Sequence, residues 1–346
     1  MSGRHTFLAD AVIGAHGDFA EWIFRVIREI AAVARRTVVQ IDRFDTIDYV
    51  LNPRPIIISA YPSNQLVDSI DRRDVRVLFV MEPPTLTLAF MQQKLGLTAM
   101  DAIRSQSASS VANLAISRSP YSRILERETD RSILQIVNLI VTHFELELSH
   151  ADQLAVAENV SDGHGSSASV EALLRGRMTD VAAIEPVPGD HNRPFSHVAE
   201  EVLNPLLAIA RFGPIRPVVW PKEVFTFFDN PTASPPIEAA VAGPSRNLFY
   251  GPYFYLPPSR YRVETFLVFS EEISAIPFVL EVHAANWLAR ARIDQHHPGR
   301  FRGTFNLDHY DATSAVEIRL RNVKPVERGR LTLLEILFFC EPLNPD

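Results

Sequence analysis

Ala11-Val-Ile-Gly-Ala-His-Gly-Asp-Phe-Ala20 runs from an apolar stretch through two glycines into a segment with helical spacing. Beyond it, Phe19, Ile23, Val26, Ile27, Ile30, Ala31 and Ala34 share one helical face, while Glu21, Arg25, Arg28 and Glu29 fall largely on the other. Asp18 stands where a helix cap belongs. Short β-rich runs follow at Ile56-Ile57-Ile58-Ser59 and Val75-Arg-Val-Leu-Phe-Val80, with helical spacing between them from Ser63 to Ile70. Such runs suit strands buried on both faces of a parallel sheet. Longer helical patterns extend from about Thr98 to Ile116 and from Thr129 to about Glu158. This alternation predicts an α/β domain, a parallel sheet with helices on both faces.

After Pro244 the period changes. Tyr261-Arg-Val-Glu-Thr-Phe-Leu-Val-Phe269, Phe278-Val-Leu-Glu-Val282, Ala315-Val-Glu-Ile-Arg-Leu320 and Leu331-Thr-Leu-Leu-Glu-Ile-Leu-Phe-Phe339 alternate or nearly alternate apolar and polar residues. Turn residues separate them at Pro257-Pro258-Ser259, Pro298-Gly299 and Arg328-Gly329. The expectation is an antiparallel β-sandwich, jelly-roll-like. Between the two textures lie 14 of the 25 prolines, from Pro186 to Pro258. Proline lacks an amide donor, so this stretch reads as a connection with one helix near Ser196 to Arg211. The expected organisation is 1–180 α/β, 181–243 connection and 244–346 sandwich.

At 346 residues the chain has room for two domains. Its 47% hydrophobic and 22% charged residues exclude wholesale disorder. Cys340 is the only cysteine, which excludes an intramolecular disulfide framework and a cysteine-based zinc cluster. A net charge of −7 argues against a nucleic-acid partner. Met1 to Ala11 carries Arg4, His5 and Asp10 and does not read as a signal peptide. Ile133 to Val141 is interrupted by Gln135 and Asn138 and falls far short of the roughly 20 residues a membrane span needs. The expected setting is cytoplasmic, with no membrane span.

The turn at Gly14, His16 and Gly17 is the candidate anion-binding position, because free amides and the helix dipole attract anions there. It lacks the Lys-Ser or Lys-Thr of a phosphate loop, and Asp18 repels phosphate. Glu82, at the end of a strand, is the leading candidate acid or base, since strand C-termini face the ligand crevice. His191, within Asp190-His191-Asn192-Arg193 of the connection, is a second. His296-His297 with Asp294, Asp308 and His309 has metal-capable groups, but adjacent strand residues point to opposite faces, and no metal site is assigned. No Gly-x-Ser-x-Gly elbow is present. Tyr250, Tyr253, Tyr255 and Tyr261 place four phenols within twelve positions; with Arg246 and Trp287 they form the candidate sugar-binding set.

Two resemblances accompany these readings. Ile13-Gly14 followed by Trp22-Ile23 and an amphipathic helix resembles the opening strand-loop-helix of the sulfotransferase family, whose loop holds the 5′-phosphate of the sulfate donor PAPS. Val77-Leu-Phe-Val-Met-Glu-Pro-Pro84 is similar in placement to the family strand that ends in an arginine binding the 3′-phosphate. His143-Phe-Glu-Leu-Glu-Leu-Ser149 closes the resembling stretch, residues 5–155. The departures are specific. Gly17 and Asp18 stand where the family has a basic residue and a serine, and Phe19 and Ala20 where it has glycine and threonine. Glu82 stands in place of the arginine, and Phe90 about where a serine would be. The resemblance implies the fold and none of the donor-binding residues, so no cofactor is assigned.

Val241-Ala-Gly-Pro-Ser-Arg-Asn-Leu-Phe-Tyr-Gly-Pro-Tyr-Phe-Tyr-Leu-Pro-Pro-Ser-Arg-Tyr261 resembles a segment opening β-sandwich modules of bacterial polysaccharide-biosynthesis proteins. It implies an association with surface-glycan assembly, with a glycan or a nucleotide-activated small molecule as ligand and a biosynthetic enzyme as partner. Two functions follow as expectations: a transferase acting on a glycan, or a non-catalytic homologue that binds a glycan or a partner enzyme.

Overall fold

The computed structural model describes residues 9–42, 54–62, 66–67, 70, 75–117, 119–127, 130–175, 195–213, 216–228, 238–273, 276–295 and 297–341. The chain forms two compact units, the first comprising Met1–Gly96 with Ala112–Ala182, the second Leu97–Val111 with Ala183–Asp346.

The first unit is built on a five-stranded parallel sheet in the order β2-β3-β1-β4-β5. Its strands are β1 (Ala9–Gly14), β2 (Val38–Asp42), β3 (Ile56–Tyr61), β4 (Val75–Met81) and β5 (Ser122–Glu126). Every residue of β1 and β4 is buried, as strands sheltered on both faces require. Helix α1 (Asp18–Val33) lays Phe19, Trp22, Ile23, Val26, Ile27 and Ile30 into the core, the face read from the sequence. Helices α2 (Pro84–Leu95) and α3 (Ala99–Ser117) follow β4. The helix expected over 63–70 lies partly outside the described residues.

The single helical pattern expected from Thr129 to Glu158 is two helices, α4 (Ile133–His143) and α5 (His150–Asn159). Each begins with a capping box, Ser132 with Gln135 and Ser149 with Asp152, in which side chain and main chain exchange hydrogen bonds. The second box makes Ser149 a helix start, which ends the first helix beforehand. Helix α6 (Val170–Arg175) completes the unit.

Asp10 is fully buried within β1. Arg54 and Arg76 donate to its Oδ1 at 2.6 and 2.9 Å, and Arg36 to its Oδ2 at 3.2 Å. Arg36 also donates to the carbonyls of Arg54 and Pro55, and Arg76 to that of Phe144. One buried carboxylate thus ties four segments together at the start of the sheet.

In the second unit, helix α7 (Phe195–Phe212) precedes two antiparallel sheets. One has the order β13-β10-β15-β6, with β8 beside β15; the other is β12-β11-β14-β9-β7. Their members are β6 (Val218–Pro221), β7 (Thr226–Phe227), β8 (Ala239–Ala240), β9 (Asn247–Phe254), β10 (Ser259–Phe269), β11 (Pro277–His283), β12 (Trp287–Asp294), β13 (Gly299–His309), β14 (Val316–Asn322) and β15 (Arg330–Glu341). This is the sandwich expected from period-2 alternation: Phe278, Leu280, Val282, Ile318 and Leu320 are buried on one face of their sheet, and Val279, Glu281, Glu317 and Arg319 alternate with them onto the other.

The proline-rich segment contributes more than a connection. Its β6 and β7 are edge strands, one in each sheet, where a missing amide is tolerated. Trp220 packs on Phe338 with ring centroids 4.3 Å apart and on Phe254 at 5.8 Å. Phe225 and Phe227 pack on Phe249. Phe228 is exposed.

Candidate functional site

The strand-to-helix turn of the first unit comes first. β1 pairs with β4 in register Gly14↔Val80, so the turn and Glu82 lie at the same C-terminal edge of the sheet. Gly14 is required by this approach, because a Cβ there would lie 2.9 Å from the Val80 Cβ. Helix α1 starts from Gly17, with no side chain capping it. Asp18, expected as the cap, is the first helical residue, and the amide of Phe19 instead donates to Glu82 Oε2 at 3.4 Å. A Cβ on Gly17 would stand 2.0 Å from that oxygen.

Arg127 holds the other side of the carboxylate. Its Nη1 donates to Glu82 Oε1 at 2.8 Å and its Nη2 to Glu171 Oε2 at 3.0 Å. Both the Arg127 and Glu82 side chains are buried. Burial pushes the Glu82 carboxyl up to about 7, against the pull of Arg127 and the Phe19 amide and with a further push from Asp18. His16 faces Glu21, Nδ1 to Oε1 at 3.5 Å. The position at which a phosphate would meet a helix N-terminus is therefore filled by an internal carboxylate. Sequence reasoning placed Glu82 at this edge but missed Arg127 and Glu171, which come from 45 and 89 residues further along and carry no local motif. His191 lies outside the described residues.

The second unit gathers a different set on the outward face of the sheet containing β11 and β14. Directly opposed antiparallel residues project to the same side. One row runs Arg290, Glu281, Arg319, Tyr250 across four strands; the next runs Trp287, His283, Glu317. Trp287 is 58% exposed, and its ring lies 4.4 Å from that of His283. Glu281 is buried, with the His283 Nε2 at 3.7 Å and the Arg290 Nε at 3.9 Å from its carboxylate oxygens. Glu317 accepts the Tyr253 hydroxyl at 2.8 Å and an Arg319 N–H at 2.6 Å.

Tyr253 follows the cis Gly251–Pro252 bond and has φ +68°, a left-handed conformation that costs an aromatic residue about 1–2 kcal/mol. Arg104, in the part of α3 that belongs to this unit, lies over the Tyr253 ring and donates to the Pro252 carbonyl at 2.9 Å. Desolvation first, then the hydrogen bond to Glu317, pushes the Tyr253 phenol up to about 12. The phenol stays neutral and serves as a donor.

Of the expected sugar-binding set, Tyr250, Tyr253 and Trp287 thus belong to one sheet. Tyr255 lies beyond β9, its amide donating to Ser107 Oγ at 3.3 Å. Arg246 spends its guanidinium on the carbonyls of Ala242 and Ala240, at 2.8 and 3.1 Å. Tyr261 is buried and donates to the Pro257 carbonyl at 2.5 Å. His283, Glu281 and Glu317 were not singled out from the sequence; alternation marked the two glutamates as outward-facing, but only register brings them together. Among the described residues no group of three or more His, Cys, Asp or Glu is arranged to hold a metal.

No family model matches the chain, and no curated protein matches its sequence. Among solved structures it is similar to the mouse sulfotransferase SULT7A1 complexed with PAP, at 9% identity and a TM-score of 0.34, over 44% of this chain and 63% of that one. It is also similar to TmCBM61 in complex with β-1,4-galactotriose, at 12% identity and 0.23, over 29% and 67%. A third likeness is to the acetyl xylan esterase Est2A of the rumen bacterium Butyrivibrio proteoclasticus, at 12% and 0.19, over 34% of each chain. The chain spans less than two thirds of the sulfotransferase. No residue role passes to this chain from these likenesses. No described helix is long and apolar enough to cross a membrane.

Proposed function

We propose that the chain is a non-catalytic glycan-binding protein of bacterial surface-glycan assembly that works beside a biosynthetic enzyme in the cytoplasm. The observation that carries this reading is Trp287, a large ring left exposed on a polar sheet face, backed by His283 and flanked by buried carboxylates. An exposed ring with fixed hydrogen-bonding groups around it suits the apolar face and hydroxyl edge of a sugar. The filled anion position in the first unit supports the absence of a sulfate-donor site.

Titration calorimetry with neutral and acidic oligosaccharides tests the reading. Binding that Trp287→Ala weakens tenfold or more supports it, and no binding to any oligosaccharide overturns it. A second reading, a transferase, is favoured by Glu82 alone: a buried carboxyl poised near 7 at a strand C-terminus has the proton affinity of a general base. Thermal shift with PAP, PAPS and nucleotide sugars separates the two. A donor at 100 times its Kd would stabilise the fold by about 2.7 kcal/mol, a readily measured shift.

A further inference from the structure

We infer that the outward face of this second sheet recognises an acidic oligosaccharide, with Arg321 receiving a sugar carboxylate; the inference rests on the glycan-binding reading above. β14 is the central strand of the sheet, and Arg321 lies opposite Val279, which on its other side faces Arg292. The other arginines of this face have acidic partners. Arg319 reaches Glu317 at 2.6 Å, Arg292 reaches Asp294 at 2.7 Å, and Arg290 approaches Glu281 at 3.9 Å. Arg321 has no acidic partner among the described residues, and its Nε is buried without a hydrogen-bond acceptor.

The buried Nε is closed to a ligand as it is to water, so a planar carboxylate meets this guanidinium end-on, with two parallel hydrogen bonds from its two Nη groups. The chain as a whole carries −7, so this attraction is local to the face. Spacing adds the size of the ligand. Trp287 lies opposite His283, four residues along β11 from Val279, which is about 13 Å at the rise of an extended strand. The stacking ring and the unmatched guanidinium are too far apart to serve one sugar ring. The ligand is therefore an oligosaccharide, one unit stacked on Trp287 and another presenting its carboxylate to Arg321.

The test uses α-1,4-linked trigalacturonate and α-1,4-galactotriose, which share linkage, ring configuration and length and differ in charge, titrated into the full chain by calorimetry. The expected result is at least tenfold tighter binding of the uronate, a preference that shrinks at high salt. Arg321→Gln should erase the preference, while Arg321→Lys, a second variant of unaltered charge, should retain part of it. Equal affinity for both sugars, or a preference that survives Arg321→Gln in a folded variant, overturns the inference and leaves the glycan-binding reading standing. Binding of neither sugar overturns both.

Discussion

Glu82 reaches across 63 residues to accept the amide of Phe19 at 3.4 Å, and does so only because Gly17 has no side chain in its path. A carboxylate at a helix N-terminus satisfies a free amide and complements the dipole. Here it arrives from β4, buried and paired with Arg127, so the cap and the sheet edge are locked to one another. Gly17 and Glu82 are a matched pair, the one leaving open the space that the other's carboxylate fills.

This pairing predicts a pH dependence. Burial raises the Glu82 carboxyl from 4.5 to about 7, so between those values the folded chain holds a proton that the unfolded chain releases. Stability from this group is full below about pH 4.5 and is lost as pH rises through about 7, by up to roughly 3 kcal/mol. Glu82→Gln cannot titrate and should lose that share of the slope. Urea midpoints measured from pH 5 to 8 for both proteins check this; parallel profiles would refute it.

The Gly17 contact predicts a coupled pair of substitutions. Its backbone is extended, at φ −174°, so alanine meets no backbone strain and the whole cost is the clash with Glu82. Gly17→Ala should cost about 1–3 kcal/mol by overpacking. In a Glu82→Ala background the same change should cost less than half as much. A double-mutant cycle on unfolding free energies measures the coupling, and additivity would show that the clash is relieved elsewhere.

How far these features could be read from the chain depends on their range. The parallel sheet was legible because unbroken apolar runs alternate with helical spacing, and the sandwich because Val316 to Leu320 alternates strictly and Phe278 to Val282 nearly so. The position of Glu82 beside Gly14 followed from both ending strands. What Glu82 does there was not legible: Arg127 and Glu171 reach it by tertiary packing alone, and Asp18 offered a nearer cap. The convergence of Trp287, His283 and Glu317 was likewise hidden, since alternation gives a face and only register gives neighbours. The break before Ser149 could have been found from its Ser-x-x-Asp pattern.

Asp10 predicts the largest loss from a single polar change. It is a fully buried carboxylate holding Arg36, Arg54 and Arg76, and its removal leaves their charges facing one another. Asp10→Ala should cost about 3–5 kcal/mol, as breaking a buried ion pair does. Denaturant unfolding followed by circular dichroism reads it. A cost below 1 kcal/mol would mean that the arginine bonds to the carbonyls of Arg54, Pro55 and Phe144 suffice to hold these segments.

Trp220 separates the value of a ring from the cost of its polar atom. The side chain is fully buried against Phe338 and Phe254, yet its Nε1 has no hydrogen-bond acceptor among the described residues. Trp220→Ala removes the ring from β6, which pairs with β15 at Trp220↔Ile336, and should cost about 3–5 kcal/mol. Trp220→Phe loses part of that packing but also removes an unmatched donor, whose burial costs roughly 1–3 kcal/mol. The two effects oppose one another, so the phenylalanine variant should lie within about 1.5 kcal/mol of the parent, in the range of conservative core exchanges. Urea unfolding of the parent and both variants decides the matter. If phenylalanine costs as much as alanine, the indole N–H is matched in solution and the balance drawn here is wrong.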